Sequence, residues 1–259
     1  VICPEGDDWR DQIRSVAMIV VGGSGACTGQ LLNNCSSDGT PYFLTANHCL
    51  GGSVTSWSFR FNWDSPTCTP TTNGPTNQTV SGATLLVNSA GSDVALLELS
   101  SAPPSNYNVY YSGWDHSGDQ PTAQTGIHHP SGDIKKISHE EDNATQVAWG
   151  SPSAQCWNIP SWDSGPTEPG SSGSGLWAPN GRLIGQLSAG AASCSFNFDD
   201  NYGRFDVSWP LLQQYLGVSC GDAIDGWDPN GTSQVPFDAG ITSISQIDEN
   251  VCNESSITP

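Results

Sequence analysis

The chain of 259 residues carries 26 Asp and Glu against 7 Lys and Arg, a formal net charge of −19. That field repels nucleic acid and anionic membrane surfaces and favours cationic partners, and no stretch approaches the run of about 18 apolar residues that a membrane-spanning helix needs. Nine cysteines against one methionine point to an oxidising compartment, and 29 glycines with 18 prolines describe a turn-rich chain.

Val1-Ile2-Cys3-Pro4 opens the sequence without a leader, so the chain reads as a mature, processed form. Short strand-like runs then recur between Gly, Asn, Ser and Pro clusters. Strands are predicted over 15–21, 30–33, 42–45 and 57–63. In the last of these Trp57, Phe59, Phe61 and Trp63 alternate with Ser58, Arg60 and Asn62, the period-2 pattern of a strand with one aromatic face. Residues 67–81, rich in Thr, Asn and Pro, read as a surface loop. Further strands are predicted over 83–87, 94–99, 146–149, 175–178, 182–187 and 202–209. One helix is predicted near the end: Pro210 suits its first turn, 211–216 continue it, and Gly217 suits the stop. Many short strands with no long helical period between them indicate an all-β barrel or sandwich.

Three local contexts carry chemistry. Thr45-Ala46-Asn47-His48-Cys49 follows an apolar run, Asp93 opens an apolar strand, and Ser172 lies inside Gly170-Ser171-Ser172-Gly173-Ser174. A serine hydroxyl is a poor nucleophile at neutral pH. It needs an imidazole to take its proton and a carboxylate to fix the imidazole tautomer. Alone, His48 reads equally as a buried histidine beside a disulfide, Asp93 as a strand-start residue, and 170–174 as a flexible linker. Together, in the order His, Asp, Ser used by chymotrypsin-type enzymes, they make a catalytic constellation. The glycines around Ser172 permit a tight turn that aims the backbone N–H groups of Gly170 and Ser172 at one point, an oxyanion hole.

The chain resembles the lysyl endopeptidases, a secreted branch of the chymotrypsin-like serine proteases. The likeness rests on 1–7, on 42–49, on Ser92-Asp93 with 96–99, and on Gly113-Trp114-Asp115. It continues through Ile127-His128-His129-Pro130, Gly185-Gln186-Leu187 and 200–204. The run Thr167-Glu168-Pro169-Gly170-Ser171-Ser172-Gly173-Ser174 is specific to this branch and its relatives. The resemblance implies an all-β fold of two six-stranded antiparallel barrels with a short C-terminal helix. His48 and Asp93 would come from a first barrel over 1–110, and Ser172 and the specificity pocket from a second over 111–222. A C-terminal extension would occupy 223–259.

It further implies a secreted, monomeric endopeptidase that cuts proteins and peptides after basic residues, preferentially lysine, with no cofactor. Asp200, just before Tyr202-Gly203-Arg204, would meet the substrate cation. Trp149 would wall the pocket; read alone, it is a core aromatic. The family's companion histidine is Ser188 here, which leaves Lys-only against Lys/Arg selectivity open. Glutamyl specificity, or an inactive relative serving as a binding module, are the alternatives. Ser171 stands where the pancreatic enzymes carry an aspartate that receives a freed N-terminus. The resemblance also implies disulfides Cys27–Cys49 and Cys3–Cys68. Of the remaining cysteines, Cys156 is the preferred partner of Cys194, with Cys220 to Cys252 next and Cys35 left over. No metal site is expected: His128 and His129 resemble a ligand pair, but adjacent strand residues point to opposite faces.

Overall fold

The computed structural model describes residues 1–69, 73–150 and 153–231. A 3-10 turn over Pro4–Trp9 leads into α1 (Arg10–Ser15). The first sheet contains β1 (Val16–Val21), β2 (Ser24–Leu32), β3 (Tyr42–Ala46), β4 (Ser58–Phe61), β5 (Thr79–Ser81), β6 (Ala83–Ser89) and β7 (Val94–Leu99). Then come β8 (Trp114–Asp115), β9 (Gln124–His128), β10 (Lys136–Glu140), β11 (Thr145–Trp149) and β12 (Ala154–Ser161). β13 (Gly175–Trp177), β14 (Leu183–Gly190), β15 (Phe198–Arg204), α2 (Phe205–Leu216) and β16 (Ala223–Ile224) complete the described elements.

The first sheet runs β5-β4-β1-β2-β3-β7-β6, and its neighbours pair antiparallel. The second runs β10-β9-β13-β14-β15-β12-β11, with β8 and β16 attached at β14. The expected six strands per barrel are therefore seven along each path. The three-residue β5 extends the first, and β8 and β16 add to the second through one parallel pair, Leu183 against Trp114.

Alternation builds β4 as expected. Phe59 and Phe61 are fully buried with Trp57, while Ser58 and Arg60 are half-exposed. The strand stops before Trp63 because Asn62 takes a left-handed φ of 49°. Its side-chain amide donates to the Tyr107 carbonyl at 2.6 Å and to Gln78 Oε1 at 2.6 Å. The predicted strand 202–209 is also cut short. It ends at Arg204 and the chain turns directly into α2. Phe205, Ser208, Leu212 and Leu216 share a buried face, spacings of a helix and not of a strand. Pro210 is consequently inside the helix and not in its first turn. Gly217 caps the end with φ 94°.

Three of the four apolar clusters among the described residues organise the two halves. Ile19, Leu31, Phe43, Trp57, Phe59, Phe61 and Leu97 fill the first sheet's core. Trp157, Ile159, Trp162, Leu176, Leu187 and Tyr202 fill the second. A third cluster joins Val16, Leu32, Leu44, Val94 and Leu96 of the first half to Trp114, Ile127, Trp177, Leu183 and α2 of the second. Apolar area shared in this way ties the halves together at about 25 cal/mol per Å² buried. It fixes the relative position of loops that descend from each.

Cysteine pairing departs from expectation beyond two bridges. Cys3 joins Cys68 and Cys27 joins Cys49, but Cys35 is not left over: it joins Cys220 across 185 residues. Cys156 and Cys194 do not pair. Cys156 is buried inside β12, where burial pushes its thiol pKa up to about 11. Cys194 lies on the surface against Glu168. Strand register decides this, because β12 turns Cys156 inward, away from the exposed loop that carries Cys194. Pairing of Cys220 with Cys252 is excluded by the Cys35 bridge, and Cys252 itself lies outside the described residues.

Candidate active site

His48 sits on the 3-10 turn Asn47–Cys49 that follows β3. The Cys27–Cys49 bridge staples this turn to β2. Asp93 immediately precedes β7, the strand antiparallel to β3, so the register Ala46 to Val94 brings it beside the turn. Its carboxylate takes both donors of His48. Oδ2 accepts from Nδ1 at 2.6 Å and Oδ1 from the His48 backbone N–H at 2.9 Å. An acceptor-only carboxylate requires Nδ1 to carry hydrogen, which in a neutral ring leaves the Nε2 lone pair facing outward.

Asp93 holds an unusual left-handed φ of 54°. Three contacts enforce it. The Asn47 N–H donates to the Asp93 carbonyl at 2.8 Å. Gln186 Nε2 donates to the Ser92 carbonyl at 2.7 Å. The Ser92 and Ser208 hydroxyls lie 2.6 Å apart. Asp tolerates this conformation better than most residues, and strained backbone of this kind persists where its surroundings over-determine it.

Ser172 lies in the loop before β13. Thr28 of β2 reaches across from the first half and grips that loop: its N–H donates to the Ser172 carbonyl at 2.8 Å and its hydroxyl to the Gly170 carbonyl at 2.9 Å. The Cys49 sulfur, one residue beyond His48, is 3.7 Å from the Ser172 carbonyl oxygen. Gly173, at φ 82°, is pressed so close to Thr45 Oγ1 that a Cβ would stand 2.1 Å from it. Gly170 has φ 97°, and its N–H and that of Ser172 donate to no group among the described residues. The Ser172 hydroxyl and His48 Nε2 make no hydrogen bond among the described residues either, and His48 lines a cleft.

That cleft, about 230 Å³, is lined by Asn47, His48, Ala90, Asp93, Trp149, Gly150, Ala154, Ser188 and Ala189. Trp149 is 43% exposed, and so is not the core aromatic its type alone suggests. Ser188 faces the same space from β14. Asp200 lies behind it on β15, between β12 and β14, with no exposed surface. Its Oδ2 accepts from Trp162 Nε1 at 2.8 Å and from the Thr167 hydroxyl at 2.7 Å, while Oδ1 has no side-chain partner among the described residues. Burial raises its pKa against the pull of those two hydrogen bonds and of the Ala192 backbone N–H. Gly190 covers Oδ1 so closely that a Cβ there would lie 1.8 Å away. Asp199 points elsewhere and takes a hydrogen bond from Asn158 at 3.0 Å.

Several supporting residues escaped the sequence reading. Thr28 has no motif of its own. Thr167 opens the Thr167-Glu168-Pro169-Gly170 run, and that placement was the available signal for it. His128 and His129 diverge as strand neighbours do. His128 lies between Ser171 and Ser138, and His129 bonds the Asp133 carbonyl and stacks on Trp63.

Residues 1–205 match the family described as the C-terminal domain of lysyl endopeptidase. A lysyl endopeptidase of Pseudomonas aeruginosa is 35% identical over 211 residues, which make up 75% of this chain and 44% of that protein. The chain thus spans less than half the length of this relative. Among solved structures, a thermostable serine protease AL20 from an extremophilic microorganism superposes with a TM-score of 0.59 at 14% identity, covering 80% of this chain and 98% of that one. The protease Anisep of Arthrobacter nicotinovorans gives 0.57 at 17% identity, covering 78% and 95%. These two carry the same chymotrypsin-like all-β fold.

Proposed function

Because the chain belongs to the lysyl endopeptidase family, we propose that it is a serine endopeptidase that cleaves peptide bonds after basic side chains through an acyl-enzyme. Ser172 Oγ attacks the scissile carbonyl while His48 Nε2 takes its proton. Asp93 keeps Nδ1–H in place and stabilises the imidazolium that forms. The N–H groups of Gly170 and Ser172 receive the oxyanion, each such donor being worth roughly 3 kcal/mol in this class of reaction. His48 then gives its proton to the leaving amine, and water repeats the sequence to release the acyl group. No cofactor enters these steps.

The observation that carries the reading is the double grip of Asp93 on His48, through Nδ1 and the backbone N–H. It is accompanied by a nucleophile loop clamped from the opposite half by Thr28. A basic preference is supported by the buried Asp200, which has no cationic partner among the described residues, since a buried carboxylate is costly unless a cation meets it. The exposed Trp149 ring suits the methylenes and charge of a lysine side chain. Ser188, smaller than the family's histidine, leaves room for a guanidinium, so arginine is tolerated beside lysine. Three disulfides fit an exported protein.

The test has two arms. A phosphonate ester bearing a lysine-like side chain should label one residue, Ser172, and Ser172→Ala should remove both labelling and proteolysis. Digestion of an unfolded protein of mixed composition should then place the cuts after Lys and Arg. Cuts after Glu would refute the basic pocket, and no labelling would favour a binding module.

A further inference from the structure

The chemistry above leaves several buried titratable groups unused, and among them His128 touches the nucleophile loop. His128, at the end of β9, has no exposed surface, and burial drives its pKa down to about 3, so the ring is neutral across the working range. Its two nitrogens lie on two hydroxyls. Nδ1 is 2.8 Å from Ser171 Oγ and Nε2 is 2.9 Å from Ser138 Oγ.

Ser171 Oγ also accepts the Glu168 backbone N–H at 3.2 Å. A neutral imidazole has one N–H donor and one acceptor nitrogen, so it donates to one of the two hydroxyls and accepts from the other. In either tautomer His128 Nδ1 and the Glu168 N–H hold the Ser171 hydroxyl from two directions.

Ser171 sits between the two residues whose N–H groups make no hydrogen bond among the described residues. Its side chain is pulled inward by His128, its own N–H donates to the Glu168 carbonyl at 3.0 Å, and its carbonyl accepts from Ser174 at 3.0 Å. With Ser171 held on three sides, the peptide planes before and after it have little freedom to rotate. We propose that His128 is a positioning residue that, through its Nδ1 contact with Ser171, holds the oxyanion-binding N–H groups of Gly170 and Ser172 in register. The proposal rests on the hydrolase reading given above. It replaces a charged anchor beneath the nucleophile by a neutral one.

The experiment compares His128→Asn, His128→Gln and Ser171→Ala in the full chain. An Asn amide stands near the Nδ1 position and keeps the link to Ser171; a Gln amide reaches the Nε2 position and keeps only the link to Ser138. With a lysyl anilide substrate, His128→Gln and Ser171→Ala should each lower kcat about 30-fold with KM nearly constant, a fraction of the loss of a whole oxyanion donor. His128→Asn should recover to within about fivefold of the parent. The double variant His128→Gln/Ser171→Ala should fall no further than either single one, because both break the same contact. Thermal unfolding is followed in parallel. Losses that track unfolding temperature and not the Asn/Gln distinction, or additive losses in the double variant, would overturn the proposal. The contact is read separately by nitrogen NMR of the His128 imidazole: its Nδ1 resonance should shift in Ser171→Ala, and an unchanged Nδ1 resonance would also overturn the proposal. A parent that neither turns over nor labels at Ser172 would sink the hydrolase reading instead, while the NMR arm still judges the hydrogen bond.

Discussion

At the scale of single residues, the molecule keeps two carboxylates in opposite conditions. Asp93 is fully engaged by His48, whereas the buried Asp200 has no cationic partner among the described residues and only neutral donors around it. The raised pKa of Asp200 sets the sign of its effect on stability. Below the ordinary carboxylate range it is protonated in both folded and unfolded chains and costs nothing. As pH rises through its elevated folded value, the native state must carry an unmatched charge and loses stability. Asp200→Asn, which keeps an acceptor for Trp162 and Thr167, should therefore unfold at a higher temperature than the parent at neutral pH. The gain should vanish in acid. The same change should lower kcat/KM on lysyl substrates on the order of 10³-fold, as loss of a buried charge partner does. Melting curves across pH with parallel kinetics check both halves, and a variant that is both active and unstabilised would contradict the role given to Asp200.

At the scale of elements, strands deliver the site residues but bridges and turns aim them. β3 and β7 supply a register, and the left-handed Asp93 and the Asn47–Cys49 turn convert it into contact. α2 depends on a tie of another kind. Cys35, just after β2, bonds Cys220 beyond the helix, and the Cys35 N–H donates to the Leu216 carbonyl at 2.8 Å. The bridge closes a loop spanning 185 residues of sequence, which restricts the unfolded chain strongly. Replacing both cysteines by alanine should cost about 2–4 kcal/mol in urea unfolding. Specific activity of the folded fraction should stay close to the parent's, since neither residue lines the cleft. An unchanged unfolding midpoint would show that the apolar face of α2 alone carries this end of the molecule.

At the scale of the whole molecule, the third apolar cluster is what makes one site from two halves. Val16, Leu32, Leu44, Val94 and Leu96 meet Trp114, Ile127, Trp177 and Leu183, so Thr28 and Gln186 can reach across to the loops of the opposite half that carry Ser172 and Asp93. The net charge of −19 acts at the same scale. On the proposed basic preference, this field draws cationic peptides toward the protein before any contact forms. kcat/KM on lysyl substrates should fall several-fold as NaCl rises from about 20 mM to about 500 mM while kcat changes little, because only encounter is screened. A salt-independent kcat/KM would place selectivity entirely in the pocket.

The amino-acid sequence by itself determined the all-β class, the family and the candidate triad, because each is written locally. Alternating aromatics mark β4, and short runs around His48, Asp93 and Ser172 bear their chemistry on a few adjacent residues. What it left hidden is what many residues decide together. β9, β10 and β12 went unseen because Gln124, Thr125 and His128 are polar yet buried, their cost offset by partners far along the chain. The join between β15 and α2 was misplaced because Phe205 serves a helix face that exists only against the barrel interface. Cysteine spacing could not choose Cys35 for Cys220, since a bridge forms where backbone paths bring Cβ atoms together. The tertiary structure alone decided those pairings and the burial of Asp200: hydrogen bonds and packing link residues by distance in space, and local sequence records only neighbours along the chain.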